Sequence, residues 1–266
     1  MANGPMLTLV RSASIAVQRW LAFVAPWFVV RALAAAIVRP LKTDRILLLG
    51  SAPMPSLPQD PNSWKLWAVN ASARQADMLG LGPPSVTVVD RGFFTEPNRS
   101  VARAQVTPLD LGRVIAVSTI RLVQPPAIPD GSIRISRFQR SVIVRAATGS
   151  RLLDSGTFAQ LSTGGFSACL ATLAASEQVF LAGFTMRLEP GTTRTPHFYE
   201  DPNITPSVAA GTPDQVTARK HSAADSAALS LISLLKVNLV SLEPDLIPLL
   251  TNWGQNPPAW HLRRWT

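Results

Sequence analysis

Arg45-Ile46-Leu47-Leu48-Leu49-Gly50 is an unbroken apolar run closed by a glycine. A strand with one wet face alternates apolar and polar residues; a run without alternation predicts a strand buried on both faces, as in a parallel sheet covered by helices. Leu66 to Val69, Ser85 to Asp90, Val114 to Ser118, Val179 to Ala182 and Val237 to Leu242 repeat the signal. Helical patterns lie between some of them. Thr163 to Ala175 is dense in alanine and leucine, and Ser222 to Leu235 places apolar residues at three- and four-residue steps. Alternating strands and helices predict an α/β fold with a mainly parallel sheet. Pro53 to Pro61, Gln124 to Asp130 and Glu189 to Pro213 are rich in proline, glycine and threonine and read as loops. The third has the length of a lid or binding loop. No internal repeat is present.

The chain has 266 residues, of which 47% are hydrophobic, enough for one large core. Its formal charge of +9 points to anionic partners: nucleic acid, anionic lipid or a phosphorylated small molecule. The basic residues are scattered singly, without a helix-turn-helix, zinc-finger or aromatic RNA-binding motif, so nucleic acid is set aside. Cys169 is the one cysteine and lies in an apolar run. It excludes an intramolecular disulfide and a cysteine-built metal site, and reads as a small core residue.

Residues 13 to 38 are apolar but broken by Pro26 and Arg31. From Trp20 to Val38 a helix would rise roughly 28 Å, barely a hydrocarbon core, and it would bury Arg31 there. Arg11, Arg19, Arg31, Arg39 and Lys42 recur without an acid, beside Trp20 and Trp27. That pattern fits a helix lying in the membrane interface best; a span and a helix docked on the core stay open. The expected division is residues 1–42 as an N-terminal membrane-associating segment and 43–266 as one domain. An anionic membrane surface is the expected partner. The tail from Asn252 to Thr266, with three tryptophans, either adds a contact or packs on the domain.

Several segments offer chemistry. Gly50-Ser51-Ala52-Pro53 follows the first strand, where ligands collect at the carboxyl ends of an open α/β sheet. It matches neither a dinucleotide fingerprint nor a phosphate loop. Asn70 ends the second strand and either reads a ribose or base or caps the next helix. Ser162-Thr163-Gly164 opens a helix, where free N–H groups attract anions, and Thr163 is equally a helix cap. His197 and Tyr199, in the long loop, offer donors to a phosphate. His221, placed just before the Ser222 to Leu235 helix, offers a base.

Leu161-Ser162-Thr163-Gly164-Gly165-Phe166-Ser167-Ala168-Cys169-Leu170-Ala171, continuing through Ser176-Glu177-Gln178-Val179-Phe180-Leu181-Ala182-Gly183-Phe184, resembles the small sialyl motif of the sialyltransferases. His197-Phe198-Tyr199-Glu200 is similar to their third motif, His221 with Asp225 to the very small motif, and Ile46 to Asn70 to the large motif. The order also resembles that of the Campylobacter-type bacterial sialyltransferases, over about residues 45 to 245. There are departures. Ser51 stands where the family carries asparagine, Val69 precedes Asn70 in place of an aromatic or cysteine, and Asp225 comes one place early with Ser226 in its seat. The disulfide that bridges the large and small motifs in animal enzymes cannot form with Cys169 alone.

The resemblance implies a single Rossmann-like domain of the GT-A type behind the N-terminal helix. It implies an inverting glycosyltransferase that moves sialic acid or a related nonulosonic acid from a CMP conjugate to a glycan hydroxyl. In that reaction His221 is the base, and histidine suits the role because it titrates near neutrality. His197 and Tyr199 donate to the phosphate of departing CMP, with Ser162, Thr163 and Gly164 adding donors at the helix start. Gly50, Ser51 and Asn70 hold the nucleotide. No Asp-x-Asp pair ends a strand, so neither a metal nor any cofactor besides the nucleotide-sugar donor is expected. The expected location is peripheral, on the cytoplasmic side of a bacterial inner membrane. Two other readings stay open: a nucleotide-binding relative without turnover, and a transferase using another nucleotide donor.

Overall fold

The computed structural model describes residues 24–90, 93, 100–117, 129, 131–150, 153, 161–184, 213–235 and 239–251, with 100–102, 213–222 and 251 described at the backbone alone. Seven parallel strands form one sheet: β1 (Thr43–Leu49), β2 (Lys65–Val69), β3 (Val86–Asp90), β4 (Arg113–Val117), β5 (Ile133–Ile135), β6 (Ala175–Ala182) and β7 (Leu239–Ser241). Their order is β5-β4-β3-β2-β1-β6-β7. The chain therefore builds outward from β1 in one direction, crosses back, and builds outward in the other. β1 and β6 flank the point where the direction reverses, and their carboxyl ends open the crevice in which such sheets bind ligands.

Among the described residues the α-helices include α1 (Trp27–Val38), α2 (Ser72–Met78), α3 (Ser100–Val106), α4 (Arg137–Thr148), α5 (Thr163–Ala174), α6 (Pro213–Leu234) and α7 (Ile247–Thr251). The apolar runs are buried on both faces, as their lack of alternation requires. Ile46 and Leu48 of β1 join Trp67, Val69, Val88, Ile115, Val117 and Leu181 in a core closed by α4, α5 and α6. Leu47 and Leu49 turn to the other side, against Leu66, Ala76, Phe180 and Ala182. Ala68, Val89 and Ala116 continue that second layer toward Ala73 of α2 and Val106 of α3. Cys169 is fully buried in the larger cluster, where a thiol packs as a small apolar side chain.

Several elements differ from the sequence reading, which predicts neither β5 nor the short helices α3 and α7; three others bear on the site. β6 starts at Ala175 directly after α5 ends at Ala174, so Ser176 and Glu177 belong to the strand; the irregular register between Thr43 and Arg45 of β1 absorbs the join. α4 is a helix the apolar pattern did not predict. Its start is a capping box: Gln139 N donates to Ser136 Oγ at 3.2 Å and Ser136 N donates to Gln139 Oε1 at 2.9 Å. Gly149, at φ +70°, ends it, its N–H donating to Arg145 O at 2.9 Å. Lastly, α6 begins at Pro213, not at Ser222. Proline suits the first turn of a helix, and the polar residues 213–222 carry no apolar stripe to reveal them. His221 thus stands inside a long helix and not at its mouth.

α1 docks. Val30, Ala34 and Val38 lie on one side of it at the three- to four-residue repeat, and Val30 and Ala34 pack against Val142 of α4. Trp27, at the N-terminal end of that stripe, is exposed at 40%, and Phe28 and Leu33, on the flanks, at 73% and 38%. Among the described residues no helix is long and apolar enough to cross a membrane.

Candidate functional site

At the carboxyl edge of the sheet, Gly50 follows β1 and Gly183 follows β6. Gly50 N donates to Ala182 O at 2.8 Å, and Ala52 N donates to Gly183 O at 2.9 Å, so hydrogen bonding continues past both strands. The backbones meet so closely that a Cβ on Gly50 would lie 2.3 Å from Gly183 O. Gly183 itself has φ +68°. Glycine is needed at both places for different reasons: room at Gly50, backbone conformation at Gly183.

Glu243, just past β7, braces this crossing. Its Oε1 accepts from Gly183 N at 2.6 Å and from Ser56 N at 3.0 Å, and Oε2 accepts from Ser56 Oγ at 3.3 Å. One carboxylate thereby ties the loop after β1 to the turn after β6. Ser51 and Ala52 lie in the tied loop, and Gln75 of α2 supports it from below, donating through Nε2 to Ala52 O at 2.8 Å.

Asn70 ends β2 in the left-handed region at φ +51°, a conformation asparagine tolerates better than most residues. Its N–H donates to Val88 O at 2.9 Å and its Oδ1 accepts from Asp90 N at 3.3 Å. It does not cap α2, whose first cap position is Ala71. Ser72 does the local work instead: Oγ accepts from Val69 N at 2.7 Å and donates to Leu49 O at 2.6 Å, joining the ends of β1 and β2.

Ser162, not Thr163, is the cap of α5: its Oγ accepts from Gly165 N at 3.0 Å. The hydroxyl and the N–H of Ser162 both donate to Asp225 of α6, so its donors are engaged within the protein. The helix keeps two amides at its start with no partner inside the helix, those of Thr163 and Gly164. Thr163 Oγ1 donates to Asp90 Oδ2 at 3.4 Å, which brings the end of β3 beside the helix start. A Cβ on Gly164 would meet Phe184 at 3.1 Å. The helix start, Asp90, Asn70 and the Gly50–Gly183 crossing therefore share one edge of the sheet.

His221 lies in the third turn of α6, described there at the backbone. His197 and Tyr199 fall outside the described residues. Of the three carboxylates at this edge, the sequence singles out only Asp225, as the acid that follows His221. Asp90 ends a strand that the sequence showed, but Asp225 and Glu243 act across 63 and 187 residues, which no local pattern announces. A cavity of about 430 Å³ lined by Trp64, Lys65, Pro84, Asp110 and Gly112 lies at the opposite, amino edge of the sheet. It has no part in this constellation.

No protein-family model matches the chain, and no curated protein sequence does. Three solved structures with a similar chain path are from Campylobacter jejuni. A monofunctional alpha-2,3-sialyltransferase is 14% identical, with a TM-score of 0.45, and the match covers 77% of this chain and 78% of that one. An alpha-2,3-sialyltransferase in its apo form is 12% identical at a TM-score of 0.42, over 77% and 78%. A sialyltransferase in complex with the substrate analogue CMP-3FNeuAc is 10% identical at a TM-score of 0.44, over 77% of this chain and 84% of that one.

Proposed function

We propose that this chain is an inverting glycosyltransferase of the sialyltransferase type, moving sialic acid or a related nonulosonic acid from its CMP conjugate to a glycan hydroxyl. The observation that carries the reading is convergence. Segments far apart in sequence that resemble the sialyl motifs meet at one place: the Gly50-Ser51 turn, Asn70, and the Ser162-Thr163-Gly164 helix start, which Asp225 ties to the helix bearing His221. The place is the carboxyl edge beside the β1/β6 reversal, where an α/β sheet binds nucleotides.

In this reading the turn after β1 and Asn70 hold the nucleotide. The amides of Thr163 and Gly164 face the phosphate of the donor, with the positive end of the α5 dipole behind them. His197 and Tyr199 donate to the same phosphate as it leaves. His221 removes the proton of the acceptor hydroxyl while that oxygen attacks the anomeric carbon, inverting it in one displacement and releasing CMP. The reaction needs no metal in this scheme. Nucleotide selectivity tests it: at a hundredfold excess over Kd, CMP should stabilise the fold by about 2.7 kcal/mol, a clear rise in melting temperature. Equal or greater shifts with UDP or GDP contradict the CMP assignment.

The same proposal includes peripheral attachment to the cytoplasmic face of an anionic membrane through the N-terminal segment. What supports it is the exposure on α1 of Phe28 and Leu33, with Trp27 partly exposed at its start, alongside exposed Arg31 and Arg39. Apolar rings flanked by arginines suit the boundary between acyl chains and anionic headgroups.

A further inference from the structure

Asp225 is 6% exposed, and a buried carboxylate is costly unless donors surround it. Two of its donors come from the start of a different helix. Ser162 N–H reaches Oδ1 at 2.9 Å, and the Ser162 hydroxyl donates to Oδ2. That hydroxyl then has its lone pairs turned to Gly165 N, which it accepts at 3.0 Å. The direction of each bond follows from the first: an acceptor at residue 225 makes Ser162 a donor toward α6 and an acceptor toward its own helix. The positive end of α5 adds to the stabilisation of the charge.

Gly165 completes the contact. A Cβ there would lie 2.1 Å from Asp225 Oδ1 and 2.6 Å from its Cγ, so the glycine exists to let the carboxylate approach the helix axis. Asp225 also stands one turn after His221 in α6. The lock therefore joins the two outward amides of α5, Thr163 and Gly164, to the turn that carries the proposed base.

We propose that Asp225 is a positioning residue, holding the helix start at Thr163-Gly164 and the His221 turn at the spacing that transfer requires. This rests on the sialyltransferase reading above. The carboxylate acts through Ser162 and Gly165 and touches no substrate. Loss of the lock lets α5 and α6 slide relative to each other while the amides stay on one helix. Rate falls; nucleotide affinity does not.

The test uses the full chain, with CMP-sialic acid as donor, a mixed oligosaccharide pool as acceptor, and CMP itself as the binding probe. Asp225→Asn should lower kcat at least about tenfold, the scale of a misplaced catalytic group, with the Kd for CMP within about twofold of wild type. In a His221→Ala background the same substitution should add nothing, because the base it positions is gone. An Asp225→Asn enzyme that turns over normally, loses CMP affinity in step with its rate, or compounds the His221→Ala defect overturns the proposal. Should that variant fail to fold, Ser162→Ala probes the lock from the other side, with the same split expected and the same contrary results. A separate arm needs no activity. Gly165→Ala should lower the melting temperature of the wild-type chain, yet lower it no further in an Asp225→Ala chain, and additive losses would mean that the contact is absent. A wild-type chain that neither binds CMP nor releases it overturns the transferase reading and the catalytic purpose of Asp225, while the Gly165 arm still reports whether the lock exists.

Discussion

Gly50 shows how much one missing methyl can decide. Its neighbour across the reversal point is a backbone carbonyl 2.3 Å from where a Cβ would sit, and a strand end cannot move aside as a side chain can. Gly50→Ala should therefore cost about 1 to 3 kcal/mol, the usual range for overpacking, read as a lower urea midpoint at unchanged slope. An unchanged midpoint would mean that the crossing is looser than described. The histidines make a different kind of prediction. His221→Ala should lower transfer by about 10² to 10⁴, the loss of a general base, and spare CMP binding, since the base meets only the acceptor. His197→Ala should weaken both, because a group that holds the phosphate contributes to the ground state as well as the transition state. Calorimetry with CMP and a transfer assay on each variant separate the two patterns. A His221→Ala enzyme near wild-type turnover would leave the mechanism without a base.

At the scale of elements, the outer face of α1 and its inner face do separate work. Val30, Ala34 and Val38 are buried, so removing the helix would expose core, whereas Phe28, 73% exposed, lies off that stripe. Phe28→Ser should weaken the protein's hold on anionic vesicles in a flotation assay at low salt and leave its melting temperature nearly unchanged; unaltered flotation would contradict membrane attachment through this helix. The elements also differ in how openly the sequence displays them. β1 to β4, β6 and β7 are legible because parallel strands covered on both faces must be apolar throughout, as Ile46 to Leu49 are. β5 is not, since Ile133-Arg134-Ile135 is too short to carry a pattern. α4 announces itself only through Ser136 and Gln139, a polar signature easily passed over when apolar periodicity is the guide. The start of α6 is hidden for the same reason: residues 213–222 form helix without an apolar face. Of the candidate site, Gly50, Asn70 and the Ser162 helix start could be found because strand ends and helix starts are local features. Asp225 is legible as the acid after His221, but its tie to Ser162 is not, nor is Glu243, because what they do depends on which distant backbone the fold brings to them.

For the molecule as a whole, the sheet order puts the reversal between β1 and β6, and every segment resembling a sialyl motif that the structure describes reaches that edge or the helix tied to it. The carboxylates found there, Asp90, Asp225 and Glu243, are each bonded to the protein's own donors. A scheme in which helix amides and histidines stabilise the departing phosphate leaves no step for a cation. Transfer should then proceed undiminished in EDTA, and a strict requirement for magnesium or manganese, restored by adding the ion back, would favour a metal-dependent glycosyltransferase instead. The measurement that bears most directly on the central claim is donor turnover by the purified full-length chain: CMP-sialic acid, a UDP-sugar and a GDP-sugar offered separately with a mixed oligosaccharide acceptor pool, following nucleotide release and the mass of the glycan product. The account predicts that CMP-sialic acid alone is consumed, with a glycan heavier by one sialic acid residue. Consumption of the UDP- or GDP-sugar with CMP-sialic acid untouched would contradict it.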